Sequence, residues 1–328
     1  MQNREMVFDR IKAFVRDYKN SHETATSWGI PICGVADAND RLYTELKKIV
    51  GPWHLLPSEI LPQAQSVVVF FIPLAHSIVN SNIEGEESSL EWDTAYLETN
   101  LLIAETVNDL CSKIEERGYK ATKIPPTSDN EIEKNNGDPS LTSCWSQRSS
   151  AYIAGIGTFG INNMIITEQG CCGRIGSFVT EWKLPPTPRP DTEYCLYKLN
   201  GSCAECVKRC PCKALYLKDG QARYDKIRCK AQVDKFIRTL PLGAADTCGK
   251  CKAPLPCSFT NPSKKIPESS GIFYFNCILA FSTCRRAFRP FRVRPGAFPV
   301  PLSVCRQQAR LSSESLPLLS LRSGELNA

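Results

Sequence analysis

Eight of the seventeen cysteines fall into two spaced sets that could hold inorganic clusters. Cys203-x-x-Cys206-x-x-x-Cys210-Pro211 is most of the C-x₂-C-x₂-C-x₃-C-P run that ligates 4Fe–4S clusters. The first cysteine of that run is displaced upstream to Cys195, with Gly201 letting the chain loop back. A second set follows as Cys229, Cys248-x-x-Cys251 and Cys257. A C-x-x-C turn offers two sulfurs from one short loop, with backbone N–H groups free to point at cluster sulfides. The cysteine before proline sends its thiolate to the other cluster. The expected ligands are therefore crossed: Cys195, Cys203, Cys206 and Cys257 for one cluster, and Cys210, Cys229, Cys248 and Cys251 for the other. Cys212 is left as a non-ligand. Two Cys₄ zinc sites are the alternative chemistry. Cys257 departs from the pattern, being followed by Ser258 rather than proline.

A second motif lies upstream in "AYIAGIGTFGINN", residues 151–163, where Gly155, Gly157 and Gly160 spell G-x-G-x-x-G. With Glu181 about twenty residues on, this is the dinucleotide fingerprint in letters. A dinucleotide fold, however, runs strand, glycine turn, helix. Here the residues before Gly155 read as helix and those after Gly160 as strand, so the order is reversed and NAD is not expected. The glycines still permit positive φ and close approach of a flat or bulky ligand, or else a plain helix-to-strand turn.

Together these motifs resemble one family. A helix, "AGIGTFG", a strand ending in "IT", "GRIGSFVT", a proline linker and a two-cluster ferredoxin module are similar to the epoxyqueuosine reductases and their 4Fe–4S relatives. Reductive dehalogenases share the layout. The resemblance is good over 146–258 and weak over the amino-terminal third. It implies an α/β domain that binds cobalamin, and a ferredoxin module that feeds it electrons. It also implies reductive removal of the epoxide oxygen from epoxyqueuosine in a tRNA anticodon loop. Gly155, Gly157, Gly160, Arg174, Gly176 and Ser177 would then sit beside the corrin, with Arg174 pairing a corrin amide or a phosphate. The implied partners are a ferredoxin- or flavodoxin-type electron donor and tRNA. In those enzymes an Asp-Thr pair precedes the Ala-Gly step, and the Asp donates a proton. The matching position here is Leu141-Thr142, and Asp138 is out of register, so no catalytic residue is assigned. The family's helical repeats are replaced by an unrelated tail. Two other function classes stay open: an electron carrier without substrate chemistry of its own, and a zinc-stabilised binding protein.

The elements that must position these residues can be read from periodicity. Val7, Ile11, Phe14 and Val15 predict a helix over 6–18. Residues 30–38 predict a strand, and the unbroken apolar run 66–73 a buried strand. The strongest helix is 89–118, closed by Gly118. Strands follow at "YKATKIP", 163–167 and 174–182, and a short helix at 145–154. The breaker-rich stretch 125–140 reads as a mobile loop, and 184–190 as a stiff proline linker. The fold class is thus an α/β (α+β) domain at 1–183, a two-cluster bacterial-ferredoxin-like module at 191–262, and an irregular tail at 271–328.

Composition bounds the rest. The 328 residues, 42% hydrophobic, suffice for a sizeable core. The first residues are charged and lack an apolar signal core, and the longest apolar run is too short to span a bilayer. A cytoplasmic protein is expected, with no membrane partner, whose thiols serve metal or redox chemistry rather than disulfides. The tail at 271–328 holds eight Arg against two Glu, while 1–270 is balanced. The body therefore has no global pull toward nucleic acid. The tail itself reads as a disordered or non-homologous extension, with a basic nucleic-acid arm as the sharper alternative. His22, His54 and His76 stand in no ligand spacing and read as structural. Cys171-Cys172 reads as a turn, and Cys33, Cys111 and Cys144 as buried small residues.

Overall fold

A computed structural model describes residues 2–124 and 143–265. The stretch 125–140, Leu141-Thr142, Asp138 and the tail lie outside the described residues. The described part up to Ser263 falls in one compact unit.

Its centre is a four-stranded antiparallel sheet in the order β1-β2-β6-β3, made of β1 (Ile32–Asp37), β2 (Ser66–Pro73), β6 (Gly173–Thr180) and β3 (Ala121–Lys123). All eight residues of β2 are buried, as its apolar run required. The register sets Val35 against Val68, and Val68 against Phe178. A continuous apolar strand is more usual in parallel sheets covered on both faces. This sheet is antiparallel and covered nonetheless. Val68, Phe70, Ile72 and Phe178 pack with α1 (Gln2–Asp17) and α5 (Leu90–Glu115) through Val7, Ile11, Leu102, Val107 and Leu110. The short helix α6 (Gln147–Ile153) packs against β1, β2 and β6: Trp145, just before it, donates from Nε1 to Ser177 Oγ at 3.2 Å. Helix α5 begins where its sequence says it should, with Ser89 Oγ accepting the Trp92 N–H. It ends before Gly118, whose φ is +83°.

Three further helices complete this half: α2 (Arg41–Ile49), capped by Asp40, α3 (Pro57–Ile60) and α4 (His76–Ser81). Periodicity did not announce them. The glycine stretch is more ordered than a turn. It runs into β4 (Gly157–Phe159), which pairs antiparallel with β5 (Ile165–Thr167). Helix-before and strand-after hold as expected, so the dinucleotide order is absent here. Glu181 pairs with Lys120, in the loop leading into β3.

The cysteine-rich part consists of α7 (Leu196–Asn200), α8 (Glu205–Arg209), a hairpin β7 (Leu215–Lys218)–β8 (Gln221–Tyr224), α9 (Lys226–Lys235) and a hairpin β9 (Arg238–Leu240)–β10 (Gly243–Ala245). The first hairpin turns on Asp219 and Gly220, both at positive φ, as a tight two-residue turn demands. Residues 184–190 are not a free spacer. Thr187 N–H donates to the Val35 carbonyl at 2.8 Å, and Thr187 Oγ1 accepts the Val35 N–H at 3.0 Å. The proline stretch is docked along the edge of β1. Among the described residues no helix is long and apolar enough to cross a membrane.

Candidate metal centre

The eight cysteines sit on short elements or in the loops beside them. Cys195 caps α7, Cys206 lies in α8, Cys210 follows it, and Cys229 lies in α9. Cys248 and Cys251 flank a turn in which Gly249 takes φ +70°.

Four of these cysteines share one cavity. Cys195, Cys203, Cys206 and Cys257 line one small pocket, open in part to solvent, together with Gly160, Ile161, Ile166 and Leu255. Their charges act on one another. Burial pushes the Cys206 thiol up to about 12, and Cys195, Cys257 and Cys203 add to the shift. Burial likewise raises Cys203, with Cys257 and Cys195 adding. The other four form their own neighbourhood. Burial raises Cys248, and Cys229 and Cys210 reinforce it. Cys251 lies well above the usual thiol range through burial, with Cys248, Cys229 and then Cys206 raising it further. The two neighbourhoods adjoin: Cys206 acts on Cys251, and Cys212 in turn feels Cys210 and Cys229. Cys212 stands 3.7 Å, sulfur to sulfur, from Cys210. Among the described residues no three His, Cys, Asp or Glu side chains are gathered tightly enough to hold a single metal ion.

What the motif could not reveal is the polar clamp around the loops. Asn82, wholly buried, donates from Nδ2 to the Cys248 carbonyl at 2.9 Å and accepts the Ser89 N–H on Oδ1 at 3.1 Å. Lys250, between the two cysteines of the C-x-x-C, buries its ammonium against the carbonyls of Asn82 and Glu84 at 3.1 and 2.6 Å. Asn162 Nδ2 donates to the Cys251 carbonyl at 2.8 Å. Tyr194 N–H donates to Thr158 Oγ1 at 2.8 Å. The segment after Gly157 is therefore the floor on which the cysteine loops rest. Isolated Asn and Thr residues carry no periodic signal, so sequence reasoning passed over them.

The residues expected beside a corrin have other surroundings. A Cβ on Gly155 (φ +73°) would meet the Pro188 carbonyl oxygen at 2.4 Å; on Gly157, the Ile166 oxygen at 2.1 Å; on Gly160, Asn162 Oδ1 at 2.5 Å; and on Gly176, the Phe70 ring at 2.5 Å. The space each glycine leaves is taken by the protein's own chain. Ser177 is buried, bonded to Trp145 and to Gln147 Oε1. Arg174 is half-buried, its guanidinium 4.1 Å from the Tyr96 ring, its Nε without a partner, and its pKa lowered by burial. Of the six, only Gly160 lines the thiol cavity. Close packing against the protein's own chain accounts for Gly155, Gly157, Gly160 and Gly176 being glycines.

Cys171-Cys172 is more than a turn. Both are buried. Their N–H groups donate to the carbonyls of Cys257 and Ser258 at 2.9 and 3.2 Å. Cys144 is buried, whereas Cys33 and Cys111 are half-buried at the core edge. His22 stacks on Tyr18, His76 on Phe259, and His54 lies in the interior beside Trp145.

No family model matches the chain, and no curated protein does. Among solved structures it is similar to epoxyqueuosine reductase from Streptococcus thermophilus, at 16% identity over 81% of this chain and 72% of that one, TM-score 0.46. It is also similar to an epoxyqueuosine reductase crystallised with a tRNA-Tyr epoxyqueuosine-modified stem loop, at 18% identity over 76% of this chain and 66% of that one, TM-score 0.43. The catabolic reductive dehalogenase NpRdhA matches at 16% identity over 82% of this chain, TM-score 0.49, and this chain spans 36% of it. These are the families to which the motifs pointed.

Proposed function

We propose that this chain is an iron–sulfur oxidoreductase of the epoxyqueuosine reductase type, with two 4Fe–4S clusters held by the crossed cysteine sets. One observation carries the reading. Cys195, Cys203 and Cys206, together with Cys257 from much further along the chain, line a single cavity. Four thiols around a space suit a four-iron cube. A single zinc ion would need its sulfurs about 2.3 Å from one point. When bound, such clusters supply one-electron transfer.

The chain's own part is to hold and orient. Gly249 lets the Cys248–Cys251 turn fold tightly, Asn82 and Asn162 fix its carbonyls, and buried Lys250 places a positive charge beside thiolates. Ile161, Ile166 and Leu255 give the first cavity an apolar border, which limits water at the sulfurs. Epoxyqueuosine-modified tRNA is the substrate class to test first, with a ferredoxin or flavodoxin as donor. The residues expected to meet a corrinoid pack on protein. That packing favours a second reading, an electron carrier without substrate chemistry of its own.

The ligand sets are tested with Cys203→Ser and Cys251→Ser. Each is expected to abolish a different cluster, seen as loss of one of two signals in the electron paramagnetic resonance spectrum of the reduced protein. Loss of the same signal in both variants contradicts the crossed scheme. Turnover of epoxyqueuosine tRNA with added cobalamin separates the enzyme from the carrier.

A further inference from the structure

Cys171 is a fifth thiol at the first cysteine set, and no ligand pattern uses it. It lies in the tight connection between β5 and β6, buried, with its N–H on the Cys257 carbonyl at 2.9 Å and its Sγ 4.0 Å from Cys257 Sγ. It shares an apolar cluster with Cys195 and Cys257. Its neighbour Cys172 is tied elsewhere, donating its thiol to the Lys252 carbonyl at 3.2 Å while also touching the Cys171 sulfur.

In a four-iron cube each thiolate binds its own iron, and the iron–thiolate bonds diverge from the corners. Two sulfurs lying side by side therefore compete for one iron instead of serving two. Cys257 lines the cavity and Cys171 does not, so Cys257 holds the iron first. A χ1 step between staggered wells is the kind of motion that moves a cysteine sulfur from one partner to another.

We propose that Cys171 is the alternative fourth ligand of the first cluster, binding the iron that Cys257 leaves. This rests on the cluster reading above. On exchange, the bond from iron to the Cys257 sulfur breaks as the Cys171 sulfur bonds the same iron; the proton that the Cys171 thiol gives up goes to the released Cys257 thiolate, and the iron keeps one protein thiolate and its three cluster sulfides. No electron is gained or lost.

The test uses the full chain purified without oxygen, as wild type, Cys257→Ala, Cys171→Ala and the double variant. Iron, sulfide and paramagnetic resonance spectra are measured on each. Wild type and both single variants should each hold about eight iron atoms. The double variant should lose the first cluster or retain only a three-iron form, while the second cluster's signal persists as an internal control of folding. Cys257→Ser, nearly isosteric, covers any disturbance of the loop by alanine. Loss of the first cluster in both Cys257 variants, as severe as in the double, overturns the proposal. So does its loss in Cys171→Ala alone, which would make Cys171 the principal ligand. A wild type without iron or sulfide fails the cluster reading itself, an outcome distinct from both.

Discussion

At Gly157 the chain leaves no room for a single added carbon. A Cβ there would stand 2.1 Å from the Ile166 carbonyl oxygen, within the β4–β5 hairpin. Gly157→Ala should lower stability by about 1–3 kcal/mol, the usual cost of overpacking, as read by denaturant unfolding. An unchanged midpoint would mean that the glycine faces a ligand space after all. His54 offers a pH test. Burial pushes it down to about 4, and its Nε2 accepts the Ser146 N–H at 3.0 Å, a role only the neutral ring can play. The unfolded chain protonates near the ordinary value of about 6.5. Between these values the unfolded state binds more protons, so stability is present above about 6.5 and falls as pH drops toward about 4. The loss should reach roughly 3 kcal/mol, at about 1.4 kcal/mol per unit. In His54→Gln this portion of the pH dependence should vanish; an identical pH profile in the variant would place the titration elsewhere.

The C-x-x-C turn and the helix beside it form one mechanical element. Gly249 sits at φ +70°, and a Cβ there would meet the Trp92 indole of α5 at 2.3 Å. Trp92 Nε1 in turn donates to Thr247 Oγ1 at 3.2 Å. Gly249→Ala should displace Cys248 and Cys251 and lower iron occupancy at the second site by at least half, with the first site unaffected. Equal loss at both sites would show that the turn supports the whole module and not one set. The cysteine spacing was readable because C-x-x-C and Cys-Pro are local patterns. The strand Ser66–Pro73 and helix α5 were readable because burial imprints itself on long apolar runs and repeats. The short elements α2 and β4 carry too few residues for a period. The Asn82 and Asn162 clamps depend on contacts between segments far apart in the chain, and no spacing records those.

Over the whole molecule, the cysteine-rich part is joined to the sheet by buried polar bonds as well as by the chain. Asn82, Lys250, Asn162 and Tyr194 all bond across that boundary, and Thr187 fastens the proline stretch to β1. Filling the cysteine sites should therefore stabilise the entire unit, since a ligand that binds only the folded state adds to its stability by mass action. Chelation of iron under anaerobic conditions should lower the melting temperature of the sheet signal along with that of the cysteine-rich part. Separate transitions would argue for two independent bodies. The central claim, that two cysteine sets hold two four-iron clusters, is tested most directly by metal and sulfide analysis of the full chain prepared without oxygen. About eight iron and eight sulfide per chain, with little zinc, is the predicted result. Stoichiometric zinc with no acid-labile sulfide would contradict it.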